Sequence, residues 1–107
     1  MALLQKTVEQ HDLLELTVTE AYDTEPFPNA ARSRSLTVID ESHLPWTFDY
    51  RVNRRGRVLS GRRWQAFIGH NRVRVGDTVS IERNDGHAHE APYKIEIIRN
   101  PRNSSET

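Results

Sequence analysis

Between residues 46 and 59 the chain spells out a β-hairpin. Trp46, Phe48, Tyr50 and Val52 are apolar or aromatic, and the residues between them, Thr47, Asp49 and Arg51, are polar. A period of two places the first set on one face of a strand and the second on the other. Asn53-Arg54-Arg55-Gly56 follows, a turn whose glycine can take a positive φ, and Arg57-Val58-Leu59 leads back. A two-stranded hairpin is marginal in water on its own. The rest of the chain must therefore cover the aromatic face.

Other segments carry the same strand signal. Leu14, Leu16 and Val18 alternate with polar residues, and Leu36 to Ile39 is apolar and β-branched before an Asp40-Glu41-Ser42-His43 turn. Val75-Gly76-Asp77-Thr78 reads as a turn into a strand over Val79 to Ile81, and Tyr93, Ile95 and Ile97 form a last one. Pro26 and Pro28 bracket Phe27 and predict an extended turn region there. Ser60 or Gly61 can cap a short helix in which Trp64, Phe67 and Ile68 fall at i, i+3 and i+4, with Gly69 or Asn71 ending it. The sum is six or seven strands with one or two short helices, which favours a barrel or sandwich. At 107 residues this is one domain. We place it at residues 1–99, with 100–107 as a flexible polar tail.

Charge is distributed unevenly. The formal net charge is zero, yet residues 9 to 25 hold six carboxylates (Glu9, Asp12, Glu15, Glu20, Asp23, Glu25) and no Lys or Arg. Residues 50 to 75 hold eight arginines, at 51, 54, 55, 57, 62, 63, 72 and 74, and no acid. Screening limits exposed charges to a range of about 10 Å, so the local excess matters more than the total. Arginine-rich surface on a hairpin and the helix after it suits phosphate and base-edge recognition.

Several function classes are disfavoured. The chain has no cysteine, which excludes a disulfide framework and a thiolate zinc site and suits a reducing compartment. No apolar run approaches the roughly 20 residues of a membrane span, and no secretory leader pattern is present, so an intracellular protein is expected. Asp85 with His87-Ala88-His89-Glu90 is the one stretch with metal-ligand residue types, but it lacks a third spaced ligand. No Ser–His–Asp order, phosphate-cradling glycine loop or paired carboxylates in an apolar setting points to catalysis. The sequence reads as a non-enzyme without a cofactor or metal.

From Leu36 onward the order of landmarks resembles the plant B-three DNA-binding domain of auxin-response and abscisic-acid-related transcription factors. The residues that carry the resemblance are Leu36-Thr37-Val38-Ile39-Asp40, Trp46-Thr47-Phe48-Asp49-Tyr50 and Val58-Leu59-Ser60-Gly61. The helix with Trp64, Phe67 and Ile68 follows, and then Val75-Gly76-Asp77-Thr78-Val79. Together they span roughly residues 36 to 98. The N-terminal third departs from the pattern: Val18-Thr19-Glu20 stands where the family has Ile-Pro-Lys. The resemblance implies a mostly β, seven-stranded open pseudobarrel with two short helices that grips the major groove of DNA between two arms. These would be Lys6 to Asp12 and the hairpin Arg51 to Arg57. It also implies a transcription factor of the plant nucleus.

The residues indicate which side chains would do the work. The major groove admits a two-stranded ribbon, where Arg can donate two bonds to guanine and Asn can pair with adenine, each worth about 1–3 kcal/mol of discrimination. Arg51, Asn53, Arg54, Arg55 and Arg57 are the hairpin candidates. Lys6, Gln10 and His11 are those of the first arm, and Arg62, Arg63, Arg72 and Arg74 are candidates for backbone phosphates. Two alternatives stay open. The pseudobarrel can serve as a protein-interaction module whose acidic N-terminal region meets a basic partner, or as the DNA-recognition domain of a restriction enzyme.

Overall fold

The computed structural model describes residues 2–20, 22–86 and 90–104. Among them seven strands form one sheet: β1 (Leu4–Thr7), β2 (Leu16–Val18), β3 (Ser35–Ile39), β4 (Pro45–Asn53), β5 (Gly56–Ser60), β6 (Thr78–Arg83) and β7 (Tyr93–Ile98). Three helices accompany them, α1 (Pro28–Ser33), α2 (Arg62–His70) and α3 (Pro101–Ser104), with a 3-10 turn over Gln10–Leu13. The strand order β1-β6-β7-β3-β4-β5-β2 leaves β1 and β2 as the two edges. The sheet is thus an open pseudobarrel, as expected. Its one parallel pairing joins β3 to β7 through Val38↔Tyr93 and Ile39↔Lys94.

The core lies where the alternation of β4 and the helical spacing of α2 meet. Phe48 packs edge-on against Trp64 at 5.2 Å and Phe67 at 5.5 Å, and all three are buried. Burying each such side chain is worth about 1.5–3 kcal/mol. On the other side of the sheet's interior, Phe27 meets Tyr50 at 5.6 Å and Tyr93 at 4.9 Å, again edge-on. Val52 continues the same strand face but is 47% exposed, because β4 runs on past the core. That overhang makes the hairpin project.

Three stretches differ from the sequence reading. The Pro26–Pro28 region is not only an extended turn, since α1 starts at Pro28. Proline fits the first helical position, where its missing N–H is not needed, and Ala30 and Ala31 propagate the helix until Arg34 ends it at φ 64. Leu14 is 65% exposed instead of facing inward, because the 3-10 turn carries the chain to residue 13 and β2 begins only at Leu16. Asn100, assigned to a loose tail, is held in place. Its amide N–H donates to Asp77 at 2.9 Å, and its side chain donates to the Gly76 carbonyl at 3.4 Å. Among the described residues no helix is long and apolar enough to cross a membrane.

Candidate nucleic-acid interface

The hairpin is built as its sequence demands. Asn53 pairs with Gly56, so Arg54 and Arg55 alone make the turn, and the Asn53 side-chain oxygen accepts the Arg55 amide at 2.9 Å. Gly56 takes φ 135, and a Cβ there would strike the Val18 carbonyl and come within 2.9 Å of the Thr19 Cα. Only glycine lets β5 approach β2 this closely.

The eight arginines of this region divide among three places. Arg54 and Arg55 are exposed at the tip and, among the described residues, form no ion pair. Arg51 projects from the outer face of β4 and meets Glu15 at 3.4 Å, with both side chains about half exposed. Arg51, Asn53, Arg54 and Arg55, with Glu15 and Thr17 opposite, line a cleft of about 390 Å³ that Val58 also lines, itself buried. These four candidates are brought together.

Arg57 is not. Placed at the free tip by the sequence reading, it is only 9% exposed and turned inward. Pairing of Val52 with Arg57 sets it on the same face as Tyr50, and its guanidinium meets Glu25 at 3.1 Å and lies 4.4 Å over the Tyr22 ring. Glu25 also accepts the Tyr50 hydroxyl at 2.6 Å and the Phe27 amide at 3.1 Å. Burial and the adjacent Glu25 carboxylate push the Tyr50 phenol well up. For Glu25 itself burial acts upward, but the hydrogen bonds from Tyr50, Phe27 and Arg57, with the Arg57 charge, outweigh it and hold the carboxyl below its ordinary value. A carboxyl depressed in the folded state adds stability above its unfolded pKa, and that stability is lost as pH falls through the folded one. The stability gap between the protein and Glu25→Gln should therefore narrow on acidification from about pH 6 to about pH 3. Urea unfolding at each pH reads this directly, and a gap constant over that range would disconnect Glu25 from acid stability.

The first arm is anchored by its own charges. Lys6, a phosphate candidate, donates to the Thr17 carbonyl and lies 3.0 Å from the buried carboxylate of Asp12. Asp12 also accepts the backbone amides of Glu9 at 2.8 Å and Thr17 at 3.1 Å. His11 sits 3.1 Å from the same carboxylate. With those oxygens occupied, the Glu9, His11 and Asp12 group is a hydrogen-bonded cap. Gln10 and His11 are exposed on the 3-10 turn. His87 and His89 of the metal-type stretch lie outside the described residues.

α2 runs along β4 away from the tip. Gly61, just before it, lies against the Asp49 carboxylate, Trp64 and Phe67 pack on Phe48, and His70 reaches Trp46 at 5.6 Å. Arg62 and Arg63 therefore occupy the end nearer the hairpin, and both are exposed. Arg72 and Arg74 lie beyond the far end of the helix. They share a groove with Ser42 of the β3–β4 turn, while the tip closes the opposite end of the nine-residue β4. At 3.3 Å per residue that separates them from the tip by roughly 26 Å.

Sequence reasoning missed the acids that face these arginines. The excess of carboxylates in residues 9 to 25 was the available signal, and four of them are engaged within the fold, Glu15 and Glu25 with Arg51 and Arg57 and Glu9 and Asp12 with Lys6. As a docking surface for a basic partner that segment is partly spent.

Fold and surface together define an open seven-stranded pseudobarrel with an arginine-tipped hairpin, the architecture that the B-three resemblance implied. Solved structures with this fold include the Arabidopsis FUS3-DNA complex, with a TM-score of 0.63 and 18% identity over 92% of this chain and 98% of that one. Another is the hypothetical Arabidopsis thaliana protein At1g16640.1, with a TM-score of 0.55 and 13% identity over 89% and 85%. No family model matches the sequence, and no curated protein matches it.

Proposed function

We propose that the chain is a B-three-type domain that binds double-stranded DNA in the major groove through the β4–β5 hairpin, as part of a plant nuclear transcription factor. The observation that carries this reading is the pair Arg54 and Arg55, exposed side by side beyond the core and, among the described residues, forming no ion pair. Two adjacent guanidinium groups repel each other, and an anionic partner relieves that repulsion. A ribbon of this width enters the major groove, where the arginines can reach guanine edges or phosphates. The fold shared with the FUS3 protein of a DNA complex supports the same reading.

In this reading the candidates take different roles. Arg54, Arg55 and Asn53 meet the DNA first, and Gln10 and His11 offer a second contact from the first arm. Arg62 and Arg63 suit backbone phosphates, which position a protein without reading sequence. Lys6 and Arg57 act beneath the surface, holding the two arms in shape through Asp12 and Glu25. Arg72 and Arg74 are too distant to share the hairpin's groove. Arg51 is partly neutralised by Glu15, an acid that must face the incoming phosphates.

A duplex titration over a salt series tests this. Log affinity should fall linearly with log salt, by about 0.9 per phosphate contact. Glu15→Gln should bind duplex about threefold more tightly at low salt, the size expected for releasing one exposed ion pair. If the chain shows no salt-dependent duplex binding, the reading fails. If Glu15→Gln weakens binding, Glu15 is itself a contact to DNA, as a carboxylate accepting from cytosine would be.

A further inference from the structure

From Tyr50 onward β4 has a free edge. β3 pairs with β4 only as far as Ser35↔Asp49, while β5 continues along its other side to Asn53↔Gly56 and is itself covered by β2. The last bond on the open side runs from the Tyr50 N–H to the Arg34 carbonyl at 3.0 Å. Backbone groups alternate in direction along a strand, so the Val52 N–H points to the same side as that of Tyr50. Among the described residues nothing accepts it.

Beside this edge lies a cleft of about 690 Å³ whose lining includes Ala31, Arg34, Asp49, Arg51 and Val52. Arg51 is already met by Glu15 at 3.4 Å and adds little free charge. Asp49, the one acid in the lining, has its carboxylate against Gly61, where a Cβ would come within 2.6 Å of an oxygen. Val52 stands three residues further along β4, roughly 10 Å away. The Arg34 side chain is exposed and, among the described residues, makes no ion pair or hydrogen bond. Its backbone follows α1 at φ 64, the left-handed position where glycine or asparagine commonly ends a helix. An arginine is strained there, and such outliers collect at sites that hold ligands.

We propose that this cleft holds a phosphate of the DNA backbone, with Arg34 and the Val52 N–H as donors and a deoxyribose resting on Val52 and Ala31. The inference rests on the reading of the hairpin as a major-groove ribbon. A ribbon in that groove sets its edges against walls built of phosphates, and its β5 edge is occupied by β2. The β4 edge is the one that meets a wall. Val52, 47% exposed, gives a sugar an apolar surface. One free N–H is too short an edge for a peptide strand to pair with. Arg34 thus sets the register of the duplex on the hairpin without reading its sequence.

The test is binding of a short mixed-sequence duplex by the full chain over a salt series. Arg34→Asn suits the left-handed backbone, so its thermal stability should hold. Its log–log salt slope should fall by about 0.9, the value of one phosphate contact, and its affinity by about eightfold at about 0.1 M salt. Arg34→Lys keeps the charge on the same strained backbone and should restore the slope. NMR locates the contact: the Val52 amide should shift when duplex is added to the parent, and shift less in Arg34→Asn. An Arg34→Asn protein with the parent's slope and affinity would overturn the proposal. So would a slope that lysine leaves low, or a Val52 amide that the duplex does not move. If Arg54→Ala with Arg55→Ala loses binding in the same series while Arg34→Asn keeps it, this proposal falls and the hairpin reading stands. If the parent shows no salt-dependent binding, both fall. A poly-glutamate peptide that shifts the Val52 amide where duplex does not would give the cleft to a protein partner and overturn the proposal as well.

Discussion

Replacing Asp12 by alanine should destabilise the protein by about 3–5 kcal/mol, the cost typical of removing one member of a buried charged pair. The size follows from position. β1 and β2 are the two edges of the sheet, and no ladder joins them. Asp12 bridges the gap: its carboxylate holds Lys6 of β1 at 3.0 Å and accepts the Thr17 amide of β2 at 3.1 Å, while Lys6 donates to the Thr17 carbonyl. Its own backbone carbonyl accepts the Trp64 indole N–H at 2.9 Å, which ties the first arm to α2. Alanine would leave Lys6, 19% exposed in its side chain, with only Glu9 at 3.4 Å and the Thr17 carbonyl, and would strand two backbone amides. Asparagine keeps one acceptor oxygen and should cost less, about 1–3 kcal/mol. Urea unfolding followed by tryptophan fluorescence measures both, and a loss under about 1 kcal/mol for Asp12→Ala would remove this staple from the account of the fold.

How far the sequence revealed this design depends on the separation over which each feature acts. The β4–β5 hairpin was readable because its alternation, its Asn-Arg-Arg-Gly turn and its return strand lie within 15 residues of each other, where local rules govern. The aromatic face of α2 was readable for the same reason. α1 escaped notice because the Pro26–Pro28 bracket reads equally as a turn, and only the packing of Phe27 under Tyr50 and Tyr93 selects a helix start at Pro28. Charge partners were hidden by distance along the chain. Arg51 finds Glu15 across 36 residues and Arg57 finds Glu25 across 32, contacts that β2–β5 pairing creates and composition cannot show. Arg57 looked like Arg54 and Arg55 in the sequence. Strand parity, carried one residue past Gly56, is what turns it inward.

The double variant Arg54→Ala, Arg55→Ala should lose duplex affinity by at least about thirtyfold, since each arginine placed on a base edge is worth about 1–3 kcal/mol. Folding should survive, because both side chains are exposed at a turn whose Asn53 and Gly56 remain, and thermal stability should move little. The salt series then assigns the contacts. If both arginines neutralise phosphates, the log–log slope flattens by up to about 1.8, and if both read bases it changes little while affinity still falls. Lysine in place of both separates charge from shape: it keeps the phosphate attraction and forfeits the planar fork, so a base-reading pair would stay weak and a phosphate-bound pair would largely recover. Arg57→Ala is the control with the opposite profile. It removes the partner of Glu25 and the cation over Tyr22, so its first effect should be on unfolding, with duplex affinity following only as the hairpin loosens. A double tip variant that binds duplex as tightly as the parent would show that the two exposed guanidinium groups at the end of β4 serve solubility alone.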